Sequence, residues 1–385
     1  MLVIANAYPS DDELYRNGFI HRRVKAYQQA DIDVDVFYEH APARVSREYE
    51  FDGVRVRVGG PGHLRDHALE QAYDAILVHF AEPHRIDPLV QAGVTCPVIV
   101  WVHGFEAEAW HRRWFNYIDD AASVRAILAK KNTYYAGQMA FFRELMTTSE
   151  LHLTFVNVSE WFQRYVVEPD VGVGFDPTRS VVIPNLVDEE FFSHVPKQDV
   201  DRFKILSIRP FASRKYANDM TVKAILELSE RPFFDRLQFT IVGEGALFDE
   251  VTEPIRQLSN VDLRNAFLSQ TEIVELHRQH GVFLAPTRFD SQGVSVCEAM
   301  SSGLVGISTD VAAVPEFIQD RVTGMLAAPE SATALADALE ELYFDPELFQ
   351  SVSAAGAARM RAQCGRRATV EREIELISQK VACHE

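Results

Sequence analysis

Cysteine is scarce in this sequence, with Cys96, Cys297, Cys364 and Cys383 scattered along 385 residues. No paired spacing joins them, which excludes a disulfide framework or a zinc ribbon and fits a reducing, cytoplasmic compartment. Long apolar runs are also missing. None reaches the roughly 18 residues of a spanning helix, and "MLVIANAYPS" lacks the basic stretch and apolar core of a secretory signal, so it reads as a first strand. Basic residues are outnumbered, 38 against 56 acidic ones, for a net charge of −18. That balance excludes broad nucleic-acid binding, which needs a cationic surface, yet permits a local cationic pocket for an anionic small molecule. Metal-ligand clusters are absent too. "DIDVD", Asp31 to Asp35, alternates with apolar residues into "VFY" and reads as a strand with one polar face, so no essential metal is expected.

What is present is 47% apolar and 24% charged, in a chain too long for one ordinary core. Short β-branched runs recur: "LVIANA", "VDVFY", "VRVRV", "AILVHF", "VIVWVHG", "LTFVNVS" and "VVIPN", then "KILSIRP", "LQFTIVG", "VDLRNA", "GVFLAP", "LVGIST" and "GMLAAP". Helical patterns such as "YANDMTVKAILELSE" and "ALADALEELYF" separate most of them. Alternating strands and helices predict parallel sheets covered on both faces. The pattern restarts near Lys204 after the polar, proline-containing "PNLVDEEFFSHVPKQDVDRF". The fold class expected is therefore α/β, with two facing doubly wound domains. Their boundaries are 1–195, with a helical insertion at about 106–150, and 196–365, with a final helix over 366–385 packing back on the first domain. The insertion carries "WHRRWFNYI" and "TYYAGQMAFFRELM". It reads either as a helical cap or as an element for acceptor recognition or peripheral membrane contact.

The stretch "FDSQGVSVCEAMSSG", Phe289 to Gly303, carries the clearest chemistry. "GVFLAPT" ahead of it predicts a strand that delivers Thr287, Arg288 and Asp290 to its carboxyl end. A helix then starts near Val294, and its first amides, around Gly293, Val294 and Ser295, lack partners within the helix and suit phosphate oxygens. Gly293 allows close approach of the backbone. Glu298, one turn in, is placed to accept from ribose hydroxyls, and Asp290 to face a sugar ring. The plain alternative is a capped helix with two incidental acids. "ILSIRPFASRKYAND" puts Arg209 at another strand end and Lys215 at a helix start, a planar fork and a point charge suited to a diphosphate.

These stretches together resemble the retaining, family-4 type of glycosyltransferase with the GT-B fold (glycosyl transferases group 1). The resemblance runs over nearly all of residues 180–345. It covers "VVIPNLVDEEFF", Arg209 and Lys215, "VGEG" with Gly243, "APT", the pair Asp290 and Glu298 ending "EAMSSG", and "VAAVPEFIQDRVTGMLAAPES". It departs from the family pattern where Asp290 replaces glutamate, where Ser291 and Gln292 replace Gly-Phe, and where Leu186 and Tyr216 stand in place of glycines. The resemblance implies a nucleotide-diphosphate sugar as donor, with UDP or GDP as its nucleotide and no cofactor. The acceptor it implies is a glycan, a lipid-linked glycan or a small natural product, as in polysaccharide biosynthesis, at work in the cytoplasm or at the inner membrane surface. Arg209 and Lys215 would hold the diphosphate and stabilise leaving-group charge, Gly243, Gly293, Val294, Ser295 and Glu298 would complete the donor site, and His103 of "WVHGFEAE" would join Asp290 at the transferred sugar. Gly18 and His21 of "YRNGFIHRRV", with Glu106, fall on the acceptor side. The competing class is a noncatalytic relative that binds a nucleotide or a partner subunit, motivated by the changes at Asp290 and Leu186.

Overall fold

The computed structural model describes residues 1–12, 16–117 and 120–384. Tyr15, which opens "YRNGFIHRRV", and Ile118, which closes "WHRRWFNYI", lie outside the described residues. Every β-branched run named above forms a strand. The first sheet contains β1 (Leu2–Ala5), β2 (Asp35–Glu39), β3 (Arg47–Phe51), β4 (Val54–Gly59), β5 (Ile76–His79), β6 (Val98–Val102), β7 (Leu153–Asn157) and β8 (Ser180–Val182). Its spatial order is β3-β4-β2-β1-β5-β6-β7-β8. The second sheet contains β9 (Lys204–Ile208), β10 (Gln238–Val242), β11 (Val261–Arg264), β12 (Val282–Leu284), β13 (Val305–Thr309) and β14 (Met325–Ala327), in the order β11-β10-β9-β12-β13-β14. Each sheet is a doubly wound α/β sheet, the fold class expected.

All pairings are parallel except β3 with β4. Parallel central strands are covered on both faces and so read as continuous apolar runs; all five residues of β6, "VIVWV", are buried. The exception, β3, has no counterpart in the sequence reading. Its residues "REYEF" are mostly exposed, because the strand closes the sheet edge. Edge strands tolerate charge, and charge hides the strand pattern. The signal that identifies it is the turn: Asp52 and Gly53 both have positive φ, 47° and 72°, the conformation that favours Asp-Gly in a two-residue hairpin.

The chain divides into two compact units, Met1–His111 with Arg125–Leu186 and Arg367–Glu385, and Arg112–Val124 with Val187–Arg366. Between 106 and 150 the described residues form short 3-10 turns and the helical stretch Ala121–Thr147, with no strand among them. Among the described residues, no helix is long and apolar enough to cross a membrane.

The last helix, Val370–Ala382, belongs to the first unit. Val370 and Ile377 join the apolar core formed with Val3, Ile20, Val24 and Tyr27. Glu373 from the same face enters the interior, where its carboxylate accepts from Arg23 Nε at 3.0 Å and from the Tyr27 hydroxyl, with both partners of the ion pair fully buried. Such a pair contributes little net stability against an apolar replacement, but losing one partner strands the other charge. Glu373→Ala is expected to lower the stability of the first unit by about 3–5 kcal/mol. The double variant Arg23→Met, Glu373→Leu is expected to recover most of that loss, as read by denaturant unfolding.

Candidate functional site

Three chain segments meet at the carboxyl ends of β9, β10 and β12. The first is Arg209, directly after β9. Its backbone N–H donates to the Val242 carbonyl at 3.0 Å, fixing the strand end against β10. Gly243 explains how this contact is possible, since a Cβ there would lie 1.9 Å from the Arg209 carbonyl oxygen. Gly243 is thus a close-approach glycine that seats Arg209.

The second segment is the turn Arg214–Tyr216, which carries Lys215. Ser213 caps it, its hydroxyl accepting from the Lys215 N–H at 3.1 Å and donating to Asn116 at 2.8 Å. The turn is clamped to the loop after β12. The Lys215 carbonyl accepts from the Thr287 hydroxyl at 3.0 Å and from the Arg288 N–H at 2.8 Å, and Arg288 Nη1 also donates to the Arg214 carbonyl at 2.8 Å. Thr287 and Arg288, which the sequence placed at a strand mouth, therefore act as clamps. The Arg288 guanidinium is occupied by both carboxylate oxygens of Asp219 at 2.8 Å and by Glu330 at 2.7 and 2.9 Å.

The third segment is Asp290 to Ser295. Gly293 has φ 83° and serves as N-cap of the helix Val294–Ser301, so the chain turns sharply into the helix where a side chain would be strained. Val294 and Ser295 are its first two residues, with amides at the helix N-terminus. Glu298 follows one turn in, half-buried and on the Ser295 side at i+3.

Together these segments build a cation pair around one carboxylate. Asp290 Oδ2 lies 3.9 Å from Arg209 Nη2, and Oδ1 lies 3.8 Å from Lys215 Nζ; the three side chains are 14%, 5% and 18% exposed. Burial by itself would push the Asp290 carboxyl up, but Lys215 and then Arg209 outweigh it and hold the group below the usual carboxylate range. Arg209 Nη1 donates to the Ser295 hydroxyl at 2.8 Å. Its Nε and Nη2 are buried and make no hydrogen bond. Buried guanidinium N–H groups left in this state are costly unless something anionic completes them. A residue not anticipated from the sequence completes the cluster. The Tyr216 ring lies 4.8 Å from the Arg209 guanidinium and 5.5 Å from Lys215 Nζ.

In the first unit, His103 follows β6 and is buried. Its Nε2 is 2.9 Å from Nδ1 of His79, the last residue of β5, with the rings stacked at 5.2 Å. Burial lowers both imidazole pKa values well below the ordinary one and keeps both rings neutral. Only one of the facing nitrogens then carries a proton. One ring therefore donates to the other across this contact. Phe80 at 4.6 Å and Phe19 at 5.2 Å complete the surroundings of His103. His79 carries the signal that singled out His103, a histidine closing an apolar strand, and was not picked out.

Glu106, expected on the acceptor side, is fully buried, and its carboxylate accepts from the backbone N–H groups of His103 and, at 3.0 Å, Gly104. It braces the loop that carries His103. His21, half-buried, bridges the Tyr8 hydroxyl at 2.9 Å and Asp52 at 3.1 Å, tying the first helix to the β3–β4 hairpin. Burial lowers its pKa despite Asp52. Gly18 is the first residue of that helix, behind Asn17 in a left-handed conformation. A cavity of about 630 Å³ opens nearby, with Tyr8, Asp12, Arg16, Tyr38 and Tyr49 among its lining.

Burial pushes the Glu106 carboxyl up to about 7, against the backbone N–H groups that favour its charged form. Its protonated form therefore stabilises the fold. That contribution is complete below about pH 4.5 and is lost as the pH rises through 7. In wild type the first unit is expected to lose about 3 kcal/mol across that window from this group. Glu106→Gln is expected to flatten the slope, as measured by denaturant unfolding at stepped pH.

Residues 202–345 match the family model described as Glycosyl transferases group 1. Over 150 residues the chain is 28% identical to the alpha-D-kanosaminyltransferase of Streptomyces kanamyceticus, a match spanning 38% of each sequence. Its backbone is similar to that of sucrose-phosphate synthase from Thermosynechococcus elongatus, with a TM-score of 0.74, 14% identity and 99% of both chains covered. It is also similar to Anabaena HepE in complex with UDP and glucose, with a TM-score of 0.66, 14% identity, and 98% of this chain and 99% of that one covered.

Proposed function

We propose that the chain is a retaining glycosyltransferase whose second unit holds a nucleotide-diphosphate sugar, a reading supported by the match of residues 202–345 to the glycosyl transferases group 1 family. The observation that carries this reading is the state of Arg209. Its Nε and Nη2 are buried without a hydrogen bond beside Lys215 and the N-terminus of the helix at Val294. A chain of net charge −18 repels a dianion at long range, so a diphosphate needs such a local concentration of cations and amides.

In this reading Arg209, Lys215 and the amides of Gly293, Val294 and Ser295 hold the diphosphate, and Glu298 accepts from the ribose hydroxyls. Gly243 acts indirectly by seating Arg209. The bond between the anomeric carbon and the diphosphate oxygen breaks, and its electron pair goes to that oxygen. The two cations stabilise the charge that develops there. An acceptor hydroxyl attacks the anomeric carbon from the face that the diphosphate leaves, and its proton passes to the departing phosphate. Within the second unit, Asp290 attends the transferred sugar. The cavity near Gly18 and His21 is the acceptor pocket of the first unit. The acceptor class is a glycan, a lipid-linked glycan or a small natural product. The HepE complex supports UDP as the nucleotide.

Calorimetric titration of the full chain with UDP, GDP and ADP tests the donor site. One nucleotide is expected to bind, and Glu298→Ala is expected to weaken it by about 1.5–3 kcal/mol, the order of a lost hydrogen bond to a charged group. No binding of any nucleotide by folded protein overturns the reading.

A further inference from the structure

We propose that Tyr216 is a positioning residue of the donor site, holding Arg209 and Lys215 in the arrangement that receives a diphosphate. The inference rests on the donor reading above and extends it to a side chain that reading does not use. Arg209 and Lys215 come from different chain segments, and two kinds of group approach both. One is the Asp290 carboxylate, at 3.9 and 3.8 Å. The other is the Tyr216 ring, with the guanidinium carbon 4.8 Å and the ammonium nitrogen 5.5 Å from its centroid.

The two partners act differently when a diphosphate arrives. Asp290 is an anion and competes with phosphate oxygens for the same N–H groups. An aromatic ring attracts cations through its negative face without occupying their donors in the guanidinium plane. Tyr216 therefore attracts Arg209 while leaving its Nε and Nη2, already without hydrogen bonds, available to the ligand.

The backbone is built to hold the ring there. Ser213 caps the turn, Thr287 and Arg288 grip the Lys215 carbonyl, and Ala217, directly after Tyr216, is buried in the left-handed region at φ 47°. A non-glycine residue rarely adopts that conformation unless its surroundings impose it. Here the kink separates the Arg214–Tyr216 turn from the helix Asn218–Ser229, and Asn218 secures the other side by donating to the Pro210 carbonyl at 2.9 Å.

The test is calorimetric titration of full-length wild type, Tyr216→Phe, Tyr216→Leu and Tyr216→Ala with UDP and, separately, with uridine. The melting temperature of each variant is checked first. Tyr216→Phe keeps the ring face and is expected to bind UDP within about twofold of wild type. Tyr216→Leu fills the space without a π face, and it and Tyr216→Ala are expected to weaken UDP by about tenfold. Uridine, which lacks the phosphates, is expected to bind all four proteins alike. UDP affinity unchanged in the folded Leu and Ala variants overturns the positioning role and leaves the donor reading standing. Equal weakening of uridine and UDP also overturns it, because the ring then serves the nucleoside. Failure of wild type to bind any of UDP, GDP or ADP removes the donor reading, and this inference with it.

Discussion

A buried guanidinium and a half-buried ammonium share one carboxylate and leave guanidinium hydrogens unused, and the second unit is organised around that constraint. Arg209 and Lys215 lie 3.9 and 3.8 Å from the Asp290 carboxylate, close enough for attraction but too far for tight hydrogen-bonded pairs. Taking such groups out of water is unfavourable, and a long pair recovers only part of the loss. The fold holds them there by other means. β9 and β12 are neighbours in the sheet, so Arg209 and the Asp290 loop emerge side by side. Gly243 lets the Arg209 backbone sit against β10. Thr287 and Arg288 fasten the Lys215 turn to the same loop, and Arg288 is itself held by Asp219 and Glu330. Most of the hydrogen bonds around the cluster thus belong to its support, while the cluster itself is left incomplete.

The first unit has buried polar networks of its own. Arg23 and Glu373 are a closely bonded buried pair, and Arg23 Nη2 also reaches the Asn185 side chain at 3.2 Å. Asn185 belongs to the "IPN" stretch that follows β8, and the next residue, Leu186, is buried in the core. Leu186, a departure from the family pattern, is thereby accounted for as packing. His103 and His79 form a neutral hydrogen-bonded pair beneath Phe80, and Glu106 braces the loop beside them. Some atoms of these networks stay without a hydrogen bond, Arg23 Nη1 and His79 Nε2 among them.

The strands were legible because parallel strands covered on both faces consist of apolar β-branched residues, as "VIVWV" and "KILSI" do. The strand "REYEF" was not, because its exposed edge position fills it with charge. Of the site, the turn at Gly293, the helix start and the two strand-end cations could be read from local spacing. Their meeting around Asp290 could not, since it depends on sheet order between distant segments. Nor could the inward turn of Glu106, because nothing in "WVHGFEAE" distinguishes a carboxylate that caps a loop from one that faces a ligand. Tyr216 was visible only as a departure from a familiar pattern, and its contact with both cations emerges once the turn is folded. His79 ends β5 just as His103 follows β6, so the strand-end pattern marks both histidines alike.

The account's central claim is that the unused donors of Arg209 and the ammonium of Lys215 are kept for a diphosphate. The most direct measurement is a crystal structure of the full chain with a bound nucleoside diphosphate. The account predicts phosphate oxygens within hydrogen-bond distance of Arg209 Nε or Nη2 and of Lys215 Nζ, with the helix start at Val294 facing the same group. A diphosphate bound elsewhere, with Arg209 and Lys215 still facing only Asp290, would contradict it.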